Sequence, residues 1–286
     1  MRRPNAIQKD TEEIETVKDL TGVFESMATT KIAKIKGKVE SSKEFFNLLW
    51  GKYSLLRVDP AARITDRKAS DNGRDVFVVI SAEAGLSGDI DQRLIENVLQ
   101  DFDPKTTDII VLGSHGAQQL LQRGVAYKRY YRVPESDDYV DVSPVIASIA
   151  PYRHAKVYYE EYVSIGTQAI KSIDLIQTIK TMSEEAEGGA EVITEKDTIF
   201  EPSLDEIAEI METAMMSLAF SQVILESSLA QDASRFNAMA VAEKRATELV
   251  GLYNMEYNRS KRSENDRRMR EVMISLKRKR RSGHHA

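Results

Sequence analysis

Pro202 is the last proline in the chain, and the next glycine after it is Gly251. So long a stretch without a helix breaker has one regular solution, a single helix running from about 203 to about 276. At 1.5 Å per residue it would be roughly 110 Å long. Ser203 and Glu206 form a capping-box signature at its start. The apolar positions Met211, Ala214, Leu218, Leu225, Met239, Ala242, Ala246, Leu249 and Tyr253 recur at close to a seven-residue spacing. Many are small, which allows close helix approach but gives little hydrophobic stabilisation. Such a helix needs a partner.

The other end of the chain supplies a candidate. Asp10 with Glu13 three residues later could open a helix that runs to about Arg57. Its apolar stripe (Ile14, Val17, Leu20, Val23, Phe24, Met27, Ile32, Ile35, Val39, Phe46, Leu49) is also thin. Two weakly apolar helices at opposite ends pair most simply as an antiparallel coiled coil. Facing residue numbers should then sum to a constant, which sets Met27 opposite Gln231 to Met239, beside Arg235. Residues beyond about Thr247 are left without an N-terminal partner. The stretch "LYNMEYNRSKRSENDRRMREVM" (Leu252 to Met273), charged at almost every other position, must be held by continuity with the coil and by a surrounding protein.

Between the helices the period changes. "DVFVVIS" (Asp75 to Ser81), "DIIVLG" (Asp108 to Gly113) and "KVYYEEYVS" (Lys156 to Ser164) read as strands. "DQRLIENVLQDF" and "GAQQLLQR", which follow the first two, read as helices, so βαβ units and a largely parallel sheet are expected. The fold class is α+β or α/β: a long antiparallel coiled coil of N- and C-terminal helices with a central Rossmann-like α/β domain. The expected divisions are 1–57 for the first helix, 58–200 for the α/β domain with an acidic loop at 183–198, and 201–286 for the last helix and basic tail.

Composition narrows the function. The chain has no cysteine, so disulfides, thiolate metal sites and Cys nucleophiles are excluded and a cytosolic location fits. A net charge of −5 argues against wholesale nucleic-acid binding. The N-terminus lacks an apolar h-region, and no apolar run reaches the ~18 residues needed to span a bilayer. "GLSG" (Gly85, Leu86, Ser87, Gly88) follows a strand and precedes a helix, where phosphate loops occur, but it lacks a full phosphate-binding fingerprint and reads as a structural turn. His115 and His154 read as surface or loop residues, Glu160 and Glu161 as part of a solvated face, and His284 and His285 as too few for a metal. "KRKRR" (Lys277 to Arg281) reads as a solvated tail or as cations complementing a helix C-terminus. An active site of the chain's own has little support, and no cofactor is expected.

"IFEPSLDEI" resembles the segment that opens the last helix of the gamma subunit of rotary F-type ATP synthases. In "LESSLAQDASRFNAM", Glu226, Ser227, Ala230, Arg235, Ala238 and Met239 match that family's pattern. Tyr257, Asn258 and Arg259 of "YNRSKRS" match its Tyr-Asn-Arg signature. "ISAEAGLSGDID" is similar to its Ser-Asp-Arg-Gly-Leu-Cys-Gly strand and loop, and "VLGSHG" and "QRG" fit the next βα unit. The N-terminal motif survives mainly as Val23 and Met27. Ser87 stands for the usual Cys, Ala82, Glu83 and Ala84 for Ser-Asp-Arg, Lys261 and Arg262 for Arg-Gln, and Asn265 and Asp266 for Ile-Thr. The likeness spans nearly the whole chain and is most specific in the last 85 or so residues.

The resemblance implies a non-catalytic rotor shaft, one copy per complex, turning inside an alpha3beta3 hexamer of alpha and beta subunits. The α/β domain would rest with the epsilon subunit on the c-ring, peripheral to the cytoplasmic face of a bacterial plasma membrane. By the same resemblance Asn258, Arg259, Lys261 and Arg262 would meet a beta subunit, while Met27, Arg235 and Met239 would mark the shaft pairing. A charged, small-residue surface is expected of a helix turning in a collar. Two other readings stand beside this one: a coiled-coil interaction protein whose basic tail binds nucleic acid or acidic membrane, and a small-molecule-binding α/β domain with helical arms.

Overall fold

Pro4 opens the first helix in the computed structural model, which describes residues 2–54, 73–133, 141–174 and 203–282. At the first position of α1 (Pro4–Ser54) the missing N–H of proline costs nothing and its fixed φ suits the helix. The start expected at Asp10 is thereby displaced by about two turns, and Asp10 pairs with Arg2 instead. The last helix, α5 (Leu204–Ser282), is capped as expected, with the Ser203 hydroxyl accepting from the Glu206 N–H at 3.4 Å. It continues past 276 through the backbone of the basic cluster. The chain divides into two compact units, Met1–Ser26 with Met239–Ala286, and Met27–Ala238.

In the first unit the two helical segments run antiparallel. Ser260 Oγ donates to the Arg2 carbonyl at 2.8 Å, and Glu25 lies against Glu243. Pairing therefore reaches Ser260 rather than ending near Thr247, because α1 begins at Pro4. The buried positions of α1 here are Ile7, Thr11 and Thr21, whereas Val17, Leu20 and Val23 of the expected stripe face outward. Close helix approach selects small side chains for the seam. Each seam threonine satisfies its hydroxyl on its own helix, on the Ile7 and Lys18 carbonyls.

The second unit is built on a five-stranded sheet of order β3-β2-β1-β4-β5. Its strands are β1 (Asp75–Ile80), β2 (Thr107–Leu112), β3 (Arg129–Tyr131), β4 (Ala155–Ser164) and β5 (Thr167–Asp174). The first four are mutually parallel, and β5 pairs antiparallel with β4 as an edge hairpin. Strand alternation divides the core in two. Phe77, Val79, Ile109, Val111 and Tyr158 pack under α2 (Ile90–Asp101) and α3 (Ser114–Gln122). Val76, Val78, Ile80, Ile110, Leu112 and Val157 face the opposite way, toward α4 (Ser143–Ile149), the end of α1 and α5. The short β3, the antiparallel β5 and α4 go beyond the elements expected from the sequence; the acidic loop 183–198 lies outside the described residues.

Within this unit the first and last helices are again antiparallel. The Tyr53 hydroxyl donates to Glu212 Oε1 at 2.7 Å. Lys31 lies near Asp232. From Met215 to Ser234, α5 is buried on more than one side, at Met215, Met216, Ala219, Phe220, Val223, Ile224, Ala230 and Ala233. The single seven-residue seam expected there is replaced by a two-sided one, because α5 packs on the sheet as well as on α1.

Candidate functional site

Open α/β sheets bind ligands in the crevice beyond the carboxyl ends of the strands, where the strand order reverses. Here that crevice lies past the ends of β1 and β4, and the chain fills it with its own last helix. Ser227 Oγ donates to the Ile80 carbonyl (3.4 Å) or to Glu160 Oε2 (3.2 Å), and Gln231 Nε2 donates to Ser227 Oγ at 3.1 Å. Ser234 Oγ donates to the Ser87 carbonyl at 2.6 Å. The Arg235 guanidinium reaches the carbonyls of Gly85 and Ala84 at 3.5 and 3.3 Å. The Gly85–Gly88 loop thus spends its carbonyls on a protein helix rather than offering N–H groups to a phosphate.

The loop's own geometry explains its residues. Gly88 has φ +70°, a conformation that costs glycine nothing, and a Cβ there would meet Ser234 and Ala238. Leu86 carries φ +69° without that freedom, while its side chain stays exposed. Ser87 is fully buried and donates to Asp91 Oδ2 at 3.0 Å. Asp91, in the first turn of α2, also accepts from the Ala82 N–H at 2.8 Å and contacts His115 Nδ1 at 2.8 Å.

Two expectations are overturned at this joint. Glu160 is fully buried instead of solvated, because Ser227 of α5 and Asp91 of α2 close over it. No local pattern marks it, because both faces of β4 are buried and its neighbour Glu161 stays partly exposed. His115 is half-buried on Asp91 rather than a surface residue, and that bond raises its pKa. Asp232, deeply buried, is paired with Arg235, yet burial outweighs the pairing and holds its carboxyl above the usual range.

The residues named for the shaft have different surroundings. Met27 is 51% exposed while Ala28 beside it is 1% exposed, and Arg235 is committed to the loop carbonyls and Asp232. Met239 is buried in the first unit. Ala28, not Met27, should therefore crosslink to α5. With cysteine at Ala28 and at successive positions from Leu229 to Ala238, disulfides are expected at one helical face only, where Cα atoms come within about 7 Å. Equal crosslinking from Met27 would overturn this facing.

Asn258, Arg259, Lys261 and Arg262 are all exposed, around the buried Ser260. Lys261 Nζ sits 5.5 Å from the Tyr257 ring centroid. Further along, Arg268–Glu264 and Arg267–Glu271 form i,i+4 pairs. Met269, Val272, Met273 and Leu276 are exposed at helical spacing, and no described residue covers them. This apolar stripe departs from the purely charged, small-residue surface expected there. No described helix is long and apolar enough to cross a membrane.

This architecture has counterparts. A chain of the Euglena gracilis mitochondrial ATP synthase (OSCP/F1/c-ring, rotational state 3) superposes with a TM-score of 0.65 at 16% identity, covering 95% of this chain and 94% of that one. A chain from the central stalk and c-ring of the Tetrahymena thermophila mitochondrial ATP synthase gives 0.56 at 17% identity, over 78% of this chain and 99% of that one. The ATP synthase gamma chain of Malacoplasma penetrans is 22% identical over 287 residues, spanning 96% of this chain and 98% of its own length. With the family model described as ATP synthase matching residues 4–273, the chain belongs to the ATP synthase family and is of its gamma-chain type.

Proposed function

We propose that the chain is the central-stalk rotor of an F-type ATP synthase, coupling ion flow through a membrane c-ring to nucleotide chemistry in a surrounding alpha3beta3 hexamer. The family match along residues 4–273 carries this reading. The paired helices form the shaft, and the α/β domain forms the foot that meets the epsilon subunit and the c-ring at the cytoplasmic face of the membrane. The chain contributes no catalytic group. It acts by presenting different contacts to each beta subunit in each orientation, which biases their conformations in turn. Asn258, Arg259, Lys261 and Arg262 make one such contact, and the Met269–Leu276 stripe makes another with the apolar lining of the collar. An α/β domain acting as a small-molecule receptor is the weaker reading, because α5 fills the crevice where the ligand would sit.

Co-purification at native expression tests this. A tagged chain should bring down alpha- and beta-type ATPase subunits in a complex that hydrolyses ATP. Recovery without them, together with salt-sensitive retention on DNA, would overturn the rotor reading in favour of an interaction protein with a basic tail.

A further inference from the structure

The joint between α5 and the α/β domain contains two carboxyl groups whose arrangement does not balance as ions. Glu160 is fully buried within hydrogen-bonding reach of Asp91, which is also fully buried. Glu160 Oε2 accepts from Ser227, but Oε1 has no hydrogen-bond partner among the described residues. Asp91 already receives the Ala82 N–H, the Ser87 hydroxyl and His115. Two ionised carboxylates cannot share so dry a site. A proton on Glu160 Oε1, donated toward Asp91, removes the like-charge contact and supplies the missing partner. Asp91, which already has the richer set of hydrogen-bond partners, is then the acceptor of that proton, with His115 beside it.

We propose that Asp91 and Glu160 hold a single proton between them, and that this proton fastens α5 to the end of the sheet as a pH-sensitive clasp. Glu160 reaches α5 through Ser227, while Asp91 holds the Ser87 loop onto which Ser234 docks. Loss of the proton sets two carboxylates against each other beneath the helix, and the joint loosens. The inference rests on this chain's own geometry and stands independently of the rotor assignment.

Other charged groups lie around the joint. His115 approaches from α3; Glu226, Asp232 and Arg235 lie on α5; Lys31 approaches from α1. On the sheet, Glu161 is paired with Lys171 of β5. The sign follows from proton counting. Burial first, and Asp91 second, raise the Glu160 carboxyl well above its ordinary value. Folded Glu160 therefore binds more protons than unfolded Glu160, and its contribution is lost as pH rises from the ordinary carboxylate value through the folded one. Raised His115 and Asp232 have the same sign, so the test must isolate the pair.

The experiment uses the purified full-length chain. Infrared spectroscopy at about pH 7, well above the ordinary carboxylate range, should show the carbonyl stretch of a buried protonated carboxyl. In an Asp232→Asn background, which removes the other buried raised carboxyl of the joint, the band should persist, and it should disappear when Glu160→Gln is added. Hydrogen exchange of α5 amides from Ile224 to Ser234, corrected for intrinsic rates, supplies the second readout. Protection should fall as pH rises from about pH 6 to about pH 9 in the wild type, the direction that proton counting gives. It should stay nearly flat in Glu160→Gln, whose amide still donates to Asp91 and accepts from Ser227. Asp91→Asn provides an independent variant. Its amide can donate to an ionised Glu160, so the Glu160 band should vanish and the alkaline loss of protection should shrink. A band as strong in the Glu160→Gln, Asp232→Asn double variant as in Asp232→Asn alone, or an unchanged pH profile in the folded variants, overturns the clasp. If neither variant folds, the wild type decides: absence of a titrating protonated-carboxyl band overturns it.

Discussion

Gly113→Ala is expected to cost the α/β domain about 4 kcal/mol or more, enough to leave it largely unfolded at moderate temperature. Gly113 sits at the turn from β2 into α3 with φ +94° and ψ 133°, a region closed to residues with a Cβ. A Cβ built there would lie 2.1 Å from the Ser81 carbonyl oxygen and 2.7 Å from its carbon. Ser81 cannot retreat. Its N–H and hydroxyl both hold the Leu112 carbonyl, at 2.8 and 2.9 Å, and the hydroxyl accepts from the Gly116 N–H at 3.0 Å. Three turns of chain therefore meet at one point, and alanine forces them apart. The shift also carries His115 away from Asp91. Thermal and denaturant unfolding check this, with Gly251→Ala as the contrast. Gly251 lies within α5 with nothing within 4 Å of its added Cβ, so alanine there should stabilise by about 0.5–1 kcal/mol. A Gly113→Ala protein melting within a few degrees of wild type would show that the turn can relax.

How far the sequence could be read depended on how local each signal was. The last helix was legible from a long stretch without Pro or Gly, the first from its apolar spacing although Gly22, Gly37 and Gly51 lie within it, and β1, β2 and β4 from their β-branched runs. β3 is three residues long and owes its existence to pairing with β2, while β5 becomes a strand only because β4 is beside it. Neither pairing leaves a strong periodic trace. Which face of each helix turned inward was harder still. In the first-unit part of α1 the large side chains Val17, Leu20 and Val23 attract a hydrophobic reading, yet the inward positions there are Ile7, Thr11 and Thr21, whereas Ile35 and Phe46 of the expected stripe do turn inward in the second unit. In α5 the sheet supplies a second contact that no heptad count anticipates. Glu160 reads from sequence as part of a solvated face, because its burial depends on Asp91 and Ser227, which lie far from it in sequence.

Two adjacent phenylalanines offer the sharpest check on that facing. Phe46→Ala should destabilise the second unit by about 3–5 kcal/mol, as a large-to-small change in a filled core does. Phe45→Ala should stay within about 0.5 kcal/mol of wild type, as a substitution on an exposed helix face does. Phe46 is 1% exposed and belongs to the core formed with Tyr53, Phe220, Ile224 and the Val76–Val78–Ile80 face of β1, whereas Phe45 is 55% exposed. One residue of helix is a rotation of about 100°, so a small turn of α1 would exchange the two. Seven residues on, the buried Tyr53 fixes the same face through its bond to Glu212. Removing Phe46 opens a cavity where α1, α5 and the sheet meet, so a melting-point loss on the order of 10 °C is expected for a unit of this size. Hydrogen exchange should accelerate in Met215–Ile224 and β4 together, because both line the vacated volume. Equal losses from the two alanine variants, or a larger one from Phe45, would mean that α1 presents a different face to the sheet. The Ala28 crosslinking pattern should then rotate by the same amount.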